Sequence, residues 1–95
     1  MIKVVAKKFV KKDKIDEMIK LCKELADATR NEKGCIKYGL YQDEKDSTIL
    51  SFIEEWETKE DLDRHVKSEH FIKIVPQFPK LMSKEGETNI YNQII

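Results

Sequence analysis

The segment FIEEWETKEDLDRHVKSEHF, residues 52–71, gathers most of the side chains in this chain that could do chemistry. It contains the only tryptophan, Trp56, and both histidines, His65 and His70. A histidine beside a carboxylate in an apolar pocket can give or take a proton near neutral pH. Glu54 is the candidate carboxylate, because strand alternation places it on the same face as the tryptophan. The segment therefore predicts an acid–base pair, Glu54 and His65.

Each of these residues also has a purely structural interpretation. Trp56 fits the core of a small domain, and His65 or His70 could simply satisfy hydrogen bonds at the edge of that core. Two histidines five residues apart lie roughly 140° apart on one helix, so they do not form a metal-binding face. They would converge only if Ser68 interrupts the helix, and two histidines alone make a weak metal site. We therefore expect no metal.

The composition is typical of a single domain covering residues 1–95. Hydrophobic residues make up 40% and charged residues 38%, which excludes disordered and collagen-like chains. The 18 basic and 18 acidic residues cancel, so the charge balance argues against a nucleic-acid partner. Five lysines near the N-terminus are interpreted as a solvated strand edge that discourages aggregation: Lys7, Lys8, Lys11, Lys12 and Lys14.

The sequence shows no membrane or secretion signal. No apolar run approaches the roughly 20 residues that a membrane helix needs, and the N-terminal residues alternate instead of forming a signal peptide. Cys22 and Cys35 form no CxxC pair, and the remaining ligands of a zinc site are missing. Both are interpreted as small buried side chains without a disulfide, and the protein is expected in the cytoplasm with no membrane partner.

Hydrophobic periodicity predicts a strand and then a helix in the first third of the chain. Residues Ile2–Val10 alternate and are rich in β-branched side chains, which indicates a strand. Asp13 is the candidate N-cap of an amphipathic helix from Lys14 to about Asn31, with Gly34 as the left-handed residue past its end. The apolar stripe of that helix consists of Ile15, Met18, Ile19, Cys22, Leu25, Ala26 and Thr29.

The remaining chain predicts a hairpin, two short helices and a last strand. Cys35–Gln42 and Thr48–Trp56 are strands rich in aromatic and β-branched residues, and the polar turn DEKDS joins them. Glycine and proline are otherwise scarce, so the connections are short. The later signals are a capping box at Thr58 and Asp61, a cap at Ser68, helix-interrupting Pro76 and Pro79, and a strand over Thr88–Ile95.

The element order βαββαβ is that of the ferredoxin-like split βαβ fold, an α+β architecture with helices on one face of an antiparallel sheet. The other face then needs a cover, because monomeric proteins rarely expose an apolar patch of that size. We expect a second copy of the chain to cover it, giving a homodimer of the α/β-barrel type. Candidates for the interface are Val5, Phe9, Ile36, Tyr38, Ile49, Ile53 and either Ile90 or Tyr91.

The sequence resembles the antibiotic biosynthesis monooxygenase (ABM) superfamily of small dimeric α/β-barrel proteins. The matching pieces are GCIKYGLYQD at 34–43, the FxExW strand at 52–56, the LxxHxxSxHF segment at 62–71, and a terminal strand with Ile90 and Tyr91. The resemblance implies a monooxygenase that needs no cofactor and acts on a small aromatic or quinol-type substrate. In that reaction the substrate itself supplies the electrons to O₂.

The resemblance also implies roles for individual residues. His65 would be the base, and Glu54 its orienting or proton-accepting partner. The residues expected to bind the substrate are Trp56, Phe52, Phe71 and His70, of which the first three form an aromatic wall.

Three alternatives follow from the same resemblance. Haem degradation is rejected, because the position of its histidine ligand falls at Val75, which cannot bind iron. Isomerisation of a phosphorylated dione, of the kind that processes autoinducer-2, could use Glu54 and His65 as base and acid. That reaction also needs a phosphate site, and no arginine is convincingly placed for one. A dimeric ligand-binding protein without turnover would present the same aromatic cavity.

Overall fold

A computed structural model describes residues 1–95 as a four-stranded sheet with its helices on one face. The elements in chain order are β1 (Ile2–Val10), α1 (Ile15–Thr29), β2 (Cys35–Gln42), β3 (Ile49–Trp56), α2 (Lys59–His65), α3 (Glu69–Ile74), two short 3₁₀ helices (Val75–Gln77 and Pro79–Leu81) and β4 (Met82–Asn92). The strands lie in the order β2-β3-β1-β4, and all neighbours are antiparallel. The predicted α+β ferredoxin-like fold is confirmed. None of the helices has the length and apolarity needed to cross a membrane.

Helix α1 packs on the sheet through the stripe that its periodicity predicts. Met18, Cys22 and Leu25 are almost completely buried and belong to the main core cluster. The predicted cap at Asp13 is wrong. Lys14 is the residue that precedes the helix, and it makes no side-chain capping hydrogen bond. Main-chain hydrogen bonds hold this turn instead.

Gly34 does not have its predicted role as the left-handed residue just past the end of α1. The helix ends at Thr29, and Arg30 after it still has right-handed helical angles. Gly34 has a φ of 81°, and a Cβ atom there would overlap the carboxylate of Asp61. Its carbonyl accepts a hydrogen bond from the Glu57 N–H (2.9 Å). Glycine is therefore needed where the loop before β2 approaches the loop before α2.

Ser68 divides the second helical region, as predicted. Thr58 caps α2 by accepting a hydrogen bond from the Asp61 N–H (3.1 Å). The Ser68 hydroxyl accepts from the Phe71 N–H (3.3 Å) at the start of α3 and donates to the His65 carbonyl (2.7 Å) at the end of α2. One hydroxyl thus joins two short helices and fixes their relative direction.

Strand β4 begins at Met82 and ends at Asn92, earlier at both ends than the predicted Thr88–Ile95. Its first half, SKEGE, carries no apolar alternation, so the sequence pattern did not indicate a strand there. Pairing with β1 forms it instead, with Met82 opposite Val10 and a register shift nearby.

The sheet has a covered face, which packs against the helices, and a free face. On the covered face Val4 lies opposite both Glu54 and Ile90 in the neighbouring strands. Tyr38 also pairs with Glu54 and is buried. Tyr38 and Ile90 are therefore not on the free face, where the sequence had placed them as interface candidates. The apolar side chains on the free face are Val5, Phe9, Tyr41, Ile49, Ile53 and Tyr91.

Candidate functional site

A cavity of about 250 Å³ lies between the covered face of the sheet and the helices. Of its 17 lining residues, 11 are hydrophobic, so a ligand inside would be largely removed from water. A cavity of about 150 Å³ admits benzene, so this one suits roughly one or two rings. The polar or titratable groups in its wall are Lys8, Tyr38, Glu54, Lys59, Asp63, His65 and Thr88.

His65 and His70 converge on one carboxylate that the sequence did not reveal. Nδ1 of His65 and Nε2 of His70 each lie 2.7 Å from Oε2 of Glu32, in the loop after α1. A carboxylate can only accept hydrogen bonds, so both imidazoles donate. This leaves Nε2 of a neutral His65 with a lone pair, and no protein group bonds to it. Glu32 therefore fixes the orientation and tautomer of His65.

The ring of His65 is enclosed by aromatic side chains. Its centroid lies 4.8 Å from that of Trp56, 5.3 Å from that of Tyr38 and 5.1 Å from that of Phe71. Burial lowers the pKa of His65 below its ordinary value, and the hydrogen bond to Glu32 opposes this effect. His65 is therefore held neutral at pH 7, which is the form that accepts a proton.

Glu54 lines the cavity but does not orient His65, because Glu32 has that role instead. Its Oε1 accepts a hydrogen bond from Nε1 of Trp56 (2.9 Å). Burial raises the pKa of Glu54, while the bond from Trp56 and the nearby Lys8 oppose the shift and Glu32 adds to it. Glu54 is therefore an oriented carboxyl group with a stronger hold on a proton than an exposed glutamate has.

Lys8 is a cavity residue, contrary to its assignment to a solvated basic edge. Its side chain is only 9% exposed, and its Nζ lies 5.0 Å and 5.3 Å from the ring centroids of Phe52 and Phe78. Burial lowers the pKa of Lys8, although Cys22 and Glu54 oppose this. The alternation of β1 indicates this position, because Lys8 and Val4 are an even number of residues apart and therefore lie on the same covered face.

Tyr38 is a second cavity residue that the sequence assigned elsewhere. Its ring packs edge-on against Phe52, with centroids 4.6 Å apart, and its hydroxyl makes no side-chain hydrogen bond. Burial raises the pKa of Tyr38, with further contributions from nearby Glu54 and other groups. The phenol therefore stays neutral and could donate a hydrogen bond to a ligand.

The predicted site residues are thus only partly brought together on the cavity wall. His65, Glu54, Phe52 and Phe71 line the cavity. Trp56 and His70 do not line it. Trp56 donates a hydrogen bond to Glu54, which does, and His70 donates one to Glu32, which orients His65. Val75, the position that excluded haem ligation, also lines the cavity.

Glu32, His65 and His70 also have the ligand types of a divalent metal site. Their ligand atoms all lie within 4.8 Å of one another. Two imidazoles and a carboxylate suit zinc or iron. The two imidazole N–H groups already satisfy the carboxylate oxygen, so the cluster is complete as a hydrogen-bonded unit without an ion.

Comparison with known sequences connects this architecture to a family. The profile described as antibiotic biosynthesis monooxygenase matches residues 1–77. The chain belongs to this family. An uncharacterized protein of Synechocystis is 37% identical over 82 residues, which are 86% of this chain and 56% of that protein. The chain therefore spans about half the length of that curated relative.

Solved structures share the whole fold. A conserved protein from Methanosarcina mazei Go1 is 44% identical with a TM-score of 0.96, covering 98% of this chain and 92% of that one. A structure described as an antibiotic biosynthesis monooxygenase is 36% identical with a TM-score of 0.94, and both chains are covered completely. A Mycobacterium tuberculosis protein at 22% identity, covering 99% and 95%, shares the fold with a TM-score of 0.93.

Proposed function

We propose that this ABM-family protein is a monooxygenase that oxidises a small phenol or quinol with O₂ and needs no cofactor. The observation that carries the proposal is His65. Its buried ring lines the cavity and is anchored through Nδ1 by Glu32, while its Nε2 has no protein partner. Family membership and the monooxygenase description of a relative at 36% identity add support.

The proposed reaction begins with transfer of the phenol proton to Nε2 of His65. Ionisation raises the electron density of the ring, and the carbon opposite the oxygen forms a bond to O₂. His65 returns its proton to the distal oxygen, which gives a hydroperoxide. Loss of the ring hydrogen as a proton then breaks the O–O bond and expels hydroxide, which takes up that proton to give water and leaves a quinone. One oxygen atom enters the product, and the substrate supplies all four electrons.

Glu54 is the proposed acceptor of the ring proton. It lines the same cavity, and the bond from Trp56 fixes the direction of its carboxylate. Its raised pKa makes it a better base than an exposed carboxylate, since an acceptor works best when its pKa approaches the operating pH. The apolar wall, which includes Phe52 and Phe71, keeps water from the oxyanion and the peroxide.

An oxygen electrode tests the proposal directly. Purified protein is supplied with a panel of phenols, quinols and hydroxynaphthalenes, and O₂ consumption is compared with quinone absorbance. We expect uptake by wild type and a loss of roughly 100-fold or more in His65→Ala, which is the usual contribution of a general base. His70→Ala, which removes the other donor to Glu32 but keeps His65, shows how much of the loss comes from disturbing the cluster and not from losing the base. Equal uptake by wild type and His65→Ala removes His65 from the mechanism.

The same assay separates the two alternative functions. A ligand-binding protein would bind members of the panel without O₂ uptake. An isomerase of a phosphorylated dione would need several donors around the phosphate. Two lysines line the cavity, and one of them, Lys59, is already paired with Asp63 at 2.7 Å. The cavity wall therefore favours an aromatic ligand over a phosphate ester.

We also propose that the chain forms a homodimer through the free face of the sheet. Tyr41 and Tyr91 are more than half exposed there, and Ile49 and Ile53 are half-buried beside them. Lys3, Lys7, Ser51 and Glu55 lie among them on the same face, so the surface is apolar with a few charged positions, and an exposed patch of this kind favours an interface. Sedimentation at micromolar concentration should give about twice the 11.2 kDa of one chain. A species of one chain's mass, or a dimer unaffected by Ile53→Lys, would contradict this assignment.

A cytoplasmic location is part of the same proposal. Cys22 and Cys35 are both free thiols, which suits a reducing compartment. Fractionation of the native host, followed by immunoblotting, would place the protein. Recovery in a secreted or periplasmic fraction would contradict the proposal.

A further inference from the structure

The ammonium group of Lys8 is buried and has no anionic partner. None of the ion pairs in the structure includes it. Lys8 is only 9% exposed. Its Nζ is not one of the completely buried polar atoms without a partner, so it keeps some accessible surface. Lys8 is also a residue of the cavity wall, so a ligand in the cavity can approach this ammonium group.

The surroundings of Lys8 compensate its charge only in part, because Glu54 and Cys22 act on it without forming an ion pair. The rings of Phe52 and Phe78 lie within cation–π distance, at 5.0 and 5.3 Å. Ring faces attract a cation, but they accept no conventional hydrogen bond from it. A buried ammonium normally has a carboxylate or several acceptors, because removing it from water is costly. The missing partner is therefore expected to come from a ligand.

Lys8 and Glu54 extend from different positions along the cavity wall. Lys8 pairs with Leu50, whereas Glu54 pairs with Val4, four residues away along β1. At about 3.3 Å per residue their main-chain positions are roughly 13 Å apart along the strand, although the long lysine side chain brings its charge close enough to act on the pKa of Glu54. The apolar ring of Phe52, opposite Ala6, lies between them. The wall thus has a cationic end, an aromatic middle and an acid–base end formed by Glu54 and His65.

We propose that the cavity takes an aromatic anion, with a carboxylate or phenolate oxygen of the ligand bound to Nζ of Lys8. The apolar ring of the ligand then lies against Phe52 and points toward His65. This binding mode defines the substrate class of the proposed function as an aromatic oxyanion. It rests on the proposed function only in assigning which end of the ligand reacts. Lys8 acts here as a binding residue that sets charge preference.

Isothermal titration calorimetry tests the proposal without requiring turnover. The ligands are 2-naphthoate, its neutral isostere 2-naphthamide, and 2-naphthol below and above the pH at which it ionises. Wild type should bind 2-naphthoate at least 10-fold more tightly than 2-naphthamide. Lys8→Met should lose that preference through weaker naphthoate binding, with naphthamide binding unchanged. Lys8→Arg should restore part of it, and Lys12→Met, an exposed lysine with the same charge change, should behave as wild type.

The outcomes distinguish the possibilities. A preference for naphthoate alone assigns a carboxylate, and tighter binding of ionised than of neutral naphthol adds a phenolate. Wild type that binds naphthoate no better than naphthamide overturns the proposal, even if Lys8→Met fails to fold. The same preference in wild type and Lys8→Met also overturns it. Anion preference without any O₂ uptake refutes only the proposed reaction, and O₂ uptake without anion preference refutes only the role of Lys8.

Discussion

The two ends of the cavity contain two buried basic side chains that differ in how they are satisfied. Nδ1 of His65 is bonded to Glu32, and three aromatic rings enclose its imidazole. Lys8 has two aromatic rings beside it and no acceptor. Both side chains are buried, and burial lowers the pKa of each. Only the histidine has regained a polar partner from the protein.

This difference indicates different tasks. A partnered imidazole keeps one tautomer and one orientation, so its free nitrogen can transfer a proton repeatedly at the same place. Burial of an ammonium group without a partner raises the free energy of the folded protein, and a ligand anion that binds the group offsets part of this increase. The protein therefore prepares one end of the cavity for proton transfer and the other for recognition of charge. Substitutions at the two ends should change stability in opposite directions.

Loss of Glu32 should have the larger effect on stability. Glu32→Ala leaves N–H groups of His65 and His70 without their acceptor, one of them inside the core. Buried donors left without partners cost about 1–3 kcal/mol each, so we expect a loss of roughly 2–3 kcal/mol in the free energy of unfolding. Urea unfolding measures this, with Glu57→Ala as the exposed control. A loss no greater than that of the control would show that water replaces Glu32.

Loss of the Lys8 charge should stabilise the protein. Lys8→Met keeps the length and packing of the side chain but removes an unpaired buried ammonium. Replacing buried charge by apolar atoms commonly gains about 1 kcal/mol or more. We expect a higher urea midpoint with an unchanged slope, whereas Lys12→Met should leave both unchanged. A clear destabilisation would mean that the contacts with Phe52 and Phe78 outweigh the cost of burial.

The smallest effect is expected at Glu54, and it depends on pH. The pKa of Glu54 is raised in the folded protein, so folding favours its protonated form. Wild type therefore loses stability as the pH rises from the ordinary value of 4.5 through the raised folded pKa. Glu54→Gln keeps an acceptor for Trp56 Nε1 but cannot ionise. It should be more stable than wild type at pH 7 and similar to it below pH 4.5.

Urea unfolding of both proteins at pH 7 and pH 4 checks this prediction. The groups that face the carboxyl are Lys8, Glu32 and the Trp56 indole, and they are identical in the two proteins. Lower stability of Glu54→Gln at pH 7 would contradict the account, because it would show that attraction to Lys8 outweighs the loss of hydration.

The sequence predicted the order of the elements and the buried stripe of α1 well, because apolar periodicity and the caps at Thr58 and Ser68 are local signals. The stripe through Met18 and Leu25 and the break at Ser68 both follow from spacings of a few residues. The first half of β4 could not be predicted in this way. Its polar residues form a strand because β1 offers main-chain partners, and pairing leaves no trace in a single strand's own pattern.

The two basic side chains differ in this respect too. Glu32 lies 33 residues from His65 and 38 from His70, in a loop without any motif, so its role appears only when the chain is folded. Lys8 could have been recognised from the sequence. It occupies a position of β1 at which alternation requires a covered side chain, and the neighbouring lysines hid this by resembling a solvated cluster.

The central claim is that the cavity favours an aromatic oxyanion, with a cation at one end and a neutral base at the other. A chromogenic phenol such as 4-nitrophenol reports this directly, because only its anion absorbs strongly in the visible range. Its ionisation is followed by absorbance with saturating wild type, Lys8→Met and His65→Ala. We predict that the phenol bound to wild type ionises at lower pH than in water, that Lys8→Met raises this pH, and that His65→Ala, at the other end of the cavity, raises it less. Ionisation at higher pH in the wild-type cavity than in water would contradict the account.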